Sequence, residues 1–325
     1  MRDDETPGRP APTDDDASAQ PTSDDGGGVH DLEAAATTTD NESVPGVPSA
    51  WGTIGRALGT GAMAAGRAVA RGAAWTGEKV ADGWRAIDPD LRRHFGHAPL
   101  VGLTQVLPVD TSPTAKPDDG HRPAVFVHGL GGHPGNFTPM RAWFKTGGRT
   151  RTWALNIAAA PRIPDMAGEL RAFIDALDAA NGFGDDVKYD LVAHSMGGLV
   201  SRYALLDPHI RSRVASLVTL GTPHDGTYAA RYAATQKVLD LRPGSEPLTA
   251  LRDQLPWPGP PTHPRLVAFW SDADMLLLPP DSARVEGARV IEMPGYTHLS
   301  YLLDPACFQR VWMALLDPAA APDAR

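Results

Sequence analysis

The chain has 325 residues, of which 42% are hydrophobic, which is enough to build one large core or two small ones. Residues 1–50 hold twelve Asp and Glu against two Arg, whereas the remaining 275 residues carry 28 basic and 27 acidic side chains. The main part of the chain is therefore close to neutral and lacks the basic surface of nucleic-acid-binding proteins, so no nucleic-acid partner is expected. The single cysteine, Cys307, excludes an internal disulfide framework and any zinc site built from several cysteines.

Residues 1–50 form a predicted disordered tail. Acidic runs alternate there with Pro, Ser, Thr and Gly, and the segment offers few apolar side chains that a core could bury. No basic start followed by an apolar stretch is visible, so no secretory signal peptide is expected. We therefore predict a cytoplasmic protein.

Residues 51–120 are predicted to form a Gly/Ala-rich helical extension followed by a linker. Only ten uncharged residues separate Arg56 from Arg67, too few for a membrane-spanning helix. Two interpretations of residues 51–87 remain open. We favour a weakly packed extension of the main domain, because its apolar face is mostly Ala; the alternative is an interfacial helix that contacts a membrane or lipid surface through its tryptophans.

From about residue 121, short apolar segments alternate with longer segments of helical periodicity. This alternation is typical of a mostly parallel sheet with helices on both faces, and such sheets carry active sites at the carboxyl ends of their strands. We predict a catalytic domain over 121–318 and a flexible C-terminus over 319–325. The predicted strands are Ala124–Val127, Trp153–Ile157, Tyr189–Ala193, Val214–Leu220, Leu266–Trp270 and Val290–Met293. The predicted helices lie near Met140–Lys145, Asp165–Ala180, Gly197–Leu206, Tyr228–Leu241 and Pro305–Leu316.

The loop after the third predicted strand contains Ser195 between very small residues, in the order Ala193-His194-Ser195-Met196-Gly197. A serine in such a turn between a strand and a helix fits the nucleophile elbow, whose tight backbone leaves no room for large side chains two positions away. The alternative is a serine that only caps the following helix. The pattern favours Ser195 as a nucleophile.

The loop after the first predicted strand is rich in glycine, reading His128-Gly129-Leu130-Gly131-Gly132. Acyl transfer places negative charge on the carbonyl oxygen of the substrate, which backbone N–H groups can stabilise. In this architecture one N–H follows the nucleophile and another comes from this early loop, so Met196 and Leu130 are the predicted oxyanion-hole residues. His128 precedes the nucleophile and is interpreted as a structural residue of the loop.

An acid and a base remain to be placed after the last two predicted strands. His298 follows the sixth strand and is the predicted general base. Asp272 and Asp274 both follow the fifth strand, and either carboxylate could orient the imidazole. We prefer Asp274 and keep Asp272 as the alternative.

Four segments of the chain resemble the bacterial lipase branch of the α/β-hydrolase superfamily, over about residues 122–316. They are VFVHGLGG at 125–132, VAHSMGGLV at 192–200, TLGTPHDGT at 219–227, and the pair SDADMLLLPPDS at 271–282 with GYTHLSYL at 295–302. The acid loop of that family reads Ser-x-x-Asp before apolar residues and Pro, which supports Asp274 over Asp272. The chain departs from the secreted lipases in having Ala193 at the first position of the elbow, and the export signal with which those lipases begin is not expected here.

This resemblance implies an α/β-hydrolase fold and a serine carboxylic-ester hydrolase of lipase or esterase type. Ser195 would form the acyl-enzyme, His298 would move the proton, Asp274 would orient His298, and the Leu130 and Met196 N–H groups would hold the oxyanion. No cofactor is implied. Some relatives bind a structural calcium ion, but no carboxylate cluster in this sequence predicts a metal site.

The segment over about 222–264 is longer than an ordinary connection and is predicted to form a small cap. It could be a fixed cap or a mobile lid, over a small-molecule or lipid ester. His224 and Asp225 at its start are interpreted as structural. Two other functions remain open, namely acyl transfer to an alcohol on the same triad and a non-catalytic binding protein with a hydrolase fold. The sequence does not specify the oligomeric state.

Overall fold

The computed structural model describes residues 85–157, 159–232 and 235–316. The predicted acidic tail over 1–50, the part of the predicted extension up to residue 84 and the predicted C-terminus over 319–325 lie outside the described residues.

Six parallel strands form a single sheet in the order β2-β1-β3-β4-β5-β6. The four inner strands are almost entirely buried, as expected for a sheet covered on both faces, and the prediction of a mostly parallel α/β sheet is confirmed. The strands are β1 (Ala124–Val127), β2 (Thr152–Leu155), β3 (Tyr189–His194), β4 (Val214–Leu220), β5 (Arg265–Trp270) and β6 (Arg289–Glu292).

Alternate strand residues point to opposite faces of the sheet, and both sets are mostly apolar here. Helices therefore cover both faces. Val125 and Val127 of β1 join the core under one set of helices, whereas Ala124 and Phe126 join the core under the other. Phe126 is fully buried, and burial of such a side chain stabilises a fold by about 1.5–3 kcal/mol. The first set contains α3 (Ile163–Asn181) and α4 (Met196–Ala204); the second contains α2 (Thr138–Thr146) and α8 (Pro305–Leu316); α5 (Pro208–Arg213) precedes β4.

A further helix, α1 (Pro89–Gln105), precedes the sheet, within the region over 51–120 that was predicted to be a helical extension and a linker. The Asp88 carboxylate caps its N-terminus by accepting hydrogen bonds from the Asp90 and Leu91 N–H groups. Val101 and Thr104 are buried on its inner side. No helix within the described ranges, α1 included, is both long and apolar enough to cross a membrane.

The segment between β4 and β5 differs from its prediction. The single helix expected over Tyr228–Leu241 is wrong: a 3-10 helix covers Tyr228–Tyr232 and a short α6 covers Gln236–Leu239. Extended backbone at Thr235, with φ −74° and ψ 147°, separates α6 from the residues before it. Helix α7 (Glu246–Gln254) follows.

Asp240, directly after α6, fastens this segment to the body of the domain. Its buried carboxylate accepts hydrogen bonds from the Ile163 N–H at 2.9 Å and from the Arg162 guanidinium at 2.8 Å. A carboxylate at the start of α3 also interacts favourably with the helix dipole. The segment is therefore anchored near its centre by a buried carboxylate, which pairs with a partly exposed arginine.

Candidate active site

Ser195 occupies a sharp turn between β3 and α4. Its backbone has φ 55° and ψ −128°, and it is the only non-glycine residue with a positive φ in the part of the chain that the structure describes. Such a conformation costs about 1–3 kcal/mol and persists only where the surroundings enforce it. The Ser195 N–H donates a hydrogen bond to the Leu220 carbonyl at 2.9 Å. The Ser195 carbonyl accepts hydrogen bonds from the Gly198 N–H and the Thr222 hydroxyl.

Two glycines allow the oxyanion loop to approach this turn closely. A Cβ atom added to Gly197 would lie 2.4 Å from the Val127 carbonyl oxygen and 2.5 Å from that of His128. A Cβ atom added to Gly129 would lie 2.7 Å from the Ser195 Cβ. The steric reason for a very small residue at 197, which the sequence suggested, therefore holds in the structure.

His298 and Asp274 form a buried pair beside this turn. The His298 Nδ1 lies 3.0 Å from Asp274 Oδ1 and 2.9 Å from Oδ2, and the side chains are 7% and 1% exposed. The Leu276 N–H also donates to the Asp274 carboxylate, at 3.2 Å. Asp272 lies on the same loop but is exposed. The geometry joins Asp274, rather than Asp272, to the imidazole.

Ser195 and His298 face the same cavity, which has a volume of about 330 Å³. This volume lies at the lower end of the range for small-molecule sites. Most of the other side chains in its wall are apolar, and they come from the loops after β1 and β5 and from the segment after β4: Leu130, Leu276, Leu277, Ala230, Val238 and Leu241. The structure thus places a hydroxyl and an imidazole in an apolar pocket.

Of the two predicted oxyanion-hole residues, Met196 follows Ser195 in the chain and Leu130 lies in the loop after β1. Met196 is the first residue of α4, so its N–H belongs to the first turn, whose N–H groups have no partner within the helix. Leu130 occupies a tight turn closed by the Gly132 N–H donating to the Gly129 carbonyl at 3.0 Å, a bond that leaves the Leu130 N–H uninvolved. Its side chain lines the cavity and is 42% exposed.

His128 and His194 are buried and hold the two loops. The Ile157 N–H donates to His128 Nε2, so the His128 Nδ1–H donates to the Gly129 carbonyl at 2.9 Å, in agreement with a structural role. The His194 Nε2–H donates to the His298 carbonyl at 2.8 Å. Burial lowers the pKa of His194 to about 3, so this ring is neutral and acts as a hydrogen-bond donor. Sequence reasoning did not assign this contact to His194.

His224 lies outside the cavity that contains Ser195. Its Nδ1 accepts from the Arg202 guanidinium at 3.2 Å, so its Nε2–H donates to the Thr219 hydroxyl at 3.0 Å. Burial, and then the Arg202 charge, hold the pKa of His224 well below its usual range. These contacts agree with the structural interpretation of the turn.

Sequence reasoning also missed the contribution of α1 to the cavity, where Val101 and Gln105 form part of the wall. A signal was present, because residues 94–109 contain no Asp, Glu, Lys or Arg, an unusual composition for a solvated linker. Within the three described ranges, no group of three or more His, Cys, Asp or Glu side chains is placed to hold a metal ion.

Comparisons with known proteins give a consistent result. A family model described as a PGAP1-like alpha/beta domain matches residues 176–241. A triacylglycerol lipase of Burkholderia plantarii is 32% identical over 158 residues, covering 45% of this chain and 42% of the relative. A triacylglycerol lipase of Pseudarthrobacter phenanthrenivorans is 33% identical over 130 residues, covering 37% and 38%. The chain thus matches about two fifths of the length of these curated relatives.

Among solved structures, the mature form of the lipase BlEst2 from Bacillus licheniformis superimposes with a TM-score of 0.51 and 20% identity. The match covers 63% of this chain and 96% of that one. At this level of identity the similarity establishes the fold alone. Together with the matches in sequence, it shows that the chain has the α/β-hydrolase fold and is similar in sequence to lipases.

Proposed function

We propose that the chain is a serine carboxylic-ester hydrolase of lipase or esterase type that acts through an acyl-enzyme. The observation that carries this proposal is that His298, which is paired with the buried Asp274, lines the same apolar cavity as Ser195, whose backbone is strained. The lipase relatives support a lipid or other apolar ester as substrate, and the apolar wall of the cavity supports the same class.

In the proposed reaction the Ser195 hydroxyl attacks the ester carbonyl. The His298 Nδ1–H donates to Asp274, which leaves the Nε2 lone pair to accept the serine proton. The Asp274 carboxylate stabilises the imidazolium that forms. The oxyanion accepts hydrogen bonds from the Leu130 and Met196 N–H groups.

Attack of Ser195 on the ester carbonyl gives a tetrahedral intermediate. Collapse of this intermediate breaks the ester bond, and His298 returns the proton to the departing alcohol. A water molecule then attacks the acyl-enzyme by the same route, releases the carboxylic acid and regenerates the Ser195 hydroxyl. No step requires a cofactor.

The test is hydrolysis of a series of p-nitrophenyl esters with short to long acyl chains. We expect turnover by the wild type and a loss on the order of 10³-fold or more in Ser195→Ala. Ser212→Ala, which changes an exposed serine of α5, is the matched control and should leave the rate unchanged. A fluorophosphonate should label the wild type and Ser212→Ala, but not Ser195→Ala.

Turnover that survives in Ser195→Ala would overturn the proposal. Acyl transfer on the same triad is distinguished by product analysis with added alcohol: hydrolysis yields the free acid, and transfer yields a new ester. The chain-length optimum would separate an esterase from a lipase.

A further inference from the structure

Helix α1 contacts both loops that the proposed reaction needs, although it precedes the segment that resembles lipases. The contacts fall into two groups along the helix. One group involves the loop over 295–300, which carries His298, and the other involves the loop over 129–136, which carries Leu130.

The N-terminal half of α1 holds the His298 loop. A hydrogen bond of 3.2 Å joins His97 Nδ1 to the Ser300 hydroxyl, whose oxygen also accepts from the Thr297 N–H at 3.0 Å. The Arg93 guanidinium donates to the Gly295 carbonyl at the other end of the same loop. His298 thus lies between two points that are fastened to one helix.

The C-terminal half of α1 holds the oxyanion loop. The Gln105 amide donates to the Gly131 carbonyl at 3.2 Å, next to Leu130. The Asn136 amide donates to the Thr104 hydroxyl at 2.9 Å. The backbones are also close, since a Cβ atom added to Gly135 would lie 2.1 Å from the Thr104 carbonyl oxygen.

The strands that carry these two loops are far apart in the sheet. Strands β1 and β6 are separated by β3, β4 and β5, which corresponds to about 19 Å at ~4.8 Å per strand spacing. The helix from Arg93 to Gln105 spans about 18 Å at ~1.5 Å per residue. The length of this one helix therefore matches the separation of the two strands that carry the loops.

We propose that α1 belongs to the active site and fixes the position of the His298 loop relative to the Leu130 loop. His97 and Gln105 are its positioning residues. The proposal rests on the proposed function, because it concerns the same Ser195 site. The proton acceptor and an oxyanion donor must meet at one tetrahedral carbon, and a displacement of about 1 Å can reduce the rate about 100-fold. A helix bonded to both loops limits such displacement.

The experiment compares four variants of the full-length chain with a short, soluble ester, p-nitrophenyl butyrate. His97→Leu removes the bond to Ser300, whereas His97→Asn keeps a polar atom near the position of Nδ1. Gln105→Met removes the donor to Gly131 at similar size. Leu103→Gln is the matched control, since Leu103 lies on the same helix and is 61% exposed.

We expect His97→Leu and Gln105→Met each to lower kcat about tenfold, with KM changed by less than about twofold. His97→Asn should recover most of kcat, and Leu103→Gln should equal the wild type.

Unchanged kcat in both His97→Leu and Gln105→Met would overturn the role of α1. The role would also be overturned if His97→Asn lost as much kcat as His97→Leu and both variants had a lower unfolding temperature than the wild type. Should His97→Leu be unfolded at the assay temperature, Gln105→Met decides, because its bond lies at the exposed end of the helix. A wild type without Ser195-dependent turnover would instead refute the proposed function and the role of α1 with it. Ser195-dependent turnover with unimpaired variants would refute the role of α1 alone.

Discussion

Replacement of Ser195 by glycine should stabilise the protein while it removes the proposed nucleophile. Ser195 has φ 55° and ψ −128°, a backbone conformation that glycine adopts without strain and other residues do not. Relief of that strain is worth about 1–3 kcal/mol. Glycine also gains about 0.5–1 kcal/mol of extra freedom in the unfolded chain, which opposes the gain.

The net effect expected for Ser195→Gly is a rise of about 1 kcal/mol in the free energy of unfolding. For a domain of 150–250 residues this corresponds to about 2–4 °C in the unfolding temperature. Ser195→Ala is the control, because it lacks the hydroxyl but keeps the Cβ atom and hence the strain. Thermal unfolding followed by circular dichroism would compare the two variants under one set of conditions.

An unfolding temperature of Ser195→Gly equal to or below that of Ser195→Ala would refute this reasoning. Such a result would mean that the hydrogen bonds from Gly198 and Thr222 to the Ser195 carbonyl do not enforce an unfavourable conformation. A higher unfolding temperature of Ser195→Gly, together with complete loss of turnover, would mean that the turn at Ser195 lowers the stability of the protein while it exposes the proposed nucleophile.

Three further predictions concern neighbouring residues. Asp274→Asn should lower kcat by roughly 10³–10⁴-fold in the p-nitrophenyl ester assay, and Asp272→Asn should change it by less than about twofold; the reverse order would make Asp272 the acid. Gly197→Ala should destabilise the fold by at least about 1–3 kcal/mol in urea unfolding, because the new Cβ would lie 2.4 Å from the Val127 carbonyl; an unchanged midpoint would contradict this. The pKa of His194 is about 3 in the folded protein, below its value in the unfolded chain, so the unfolded state binds more protons between these two values. The free energy of unfolding therefore falls as the pH is lowered from about 6.5 towards 3, by up to about 1.4 kcal/mol per pH unit. His194→Gln should flatten that dependence, and an unchanged slope in urea unfolding between pH 6.5 and 5 would show that other groups cause it.

The sequence by itself determined the features that depend on local chemistry. The alternation of strands and helices was visible because apolar runs of strand length reflect burial on both faces of a parallel sheet. The very small residue at position 197 marked the predicted nucleophile elbow, and the close contact with the first loop indeed leaves no space for a side chain there. The glycine-rich loop around Leu130 was identified for a similar reason.

The tertiary structure decided what depends on contacts between distant segments. Asp272 and Asp274 are two residues apart, and the folded path of their loop buries one beside His298 and exposes the other. The predicted helix over Tyr228–Leu241 is interrupted at Thr235, while Asp240 is bonded to the start of α3. The contacts of α1 with the His298 loop link residues about 200 positions apart, such as His97 and Ser300, and no local pattern records which surface a helix will cover.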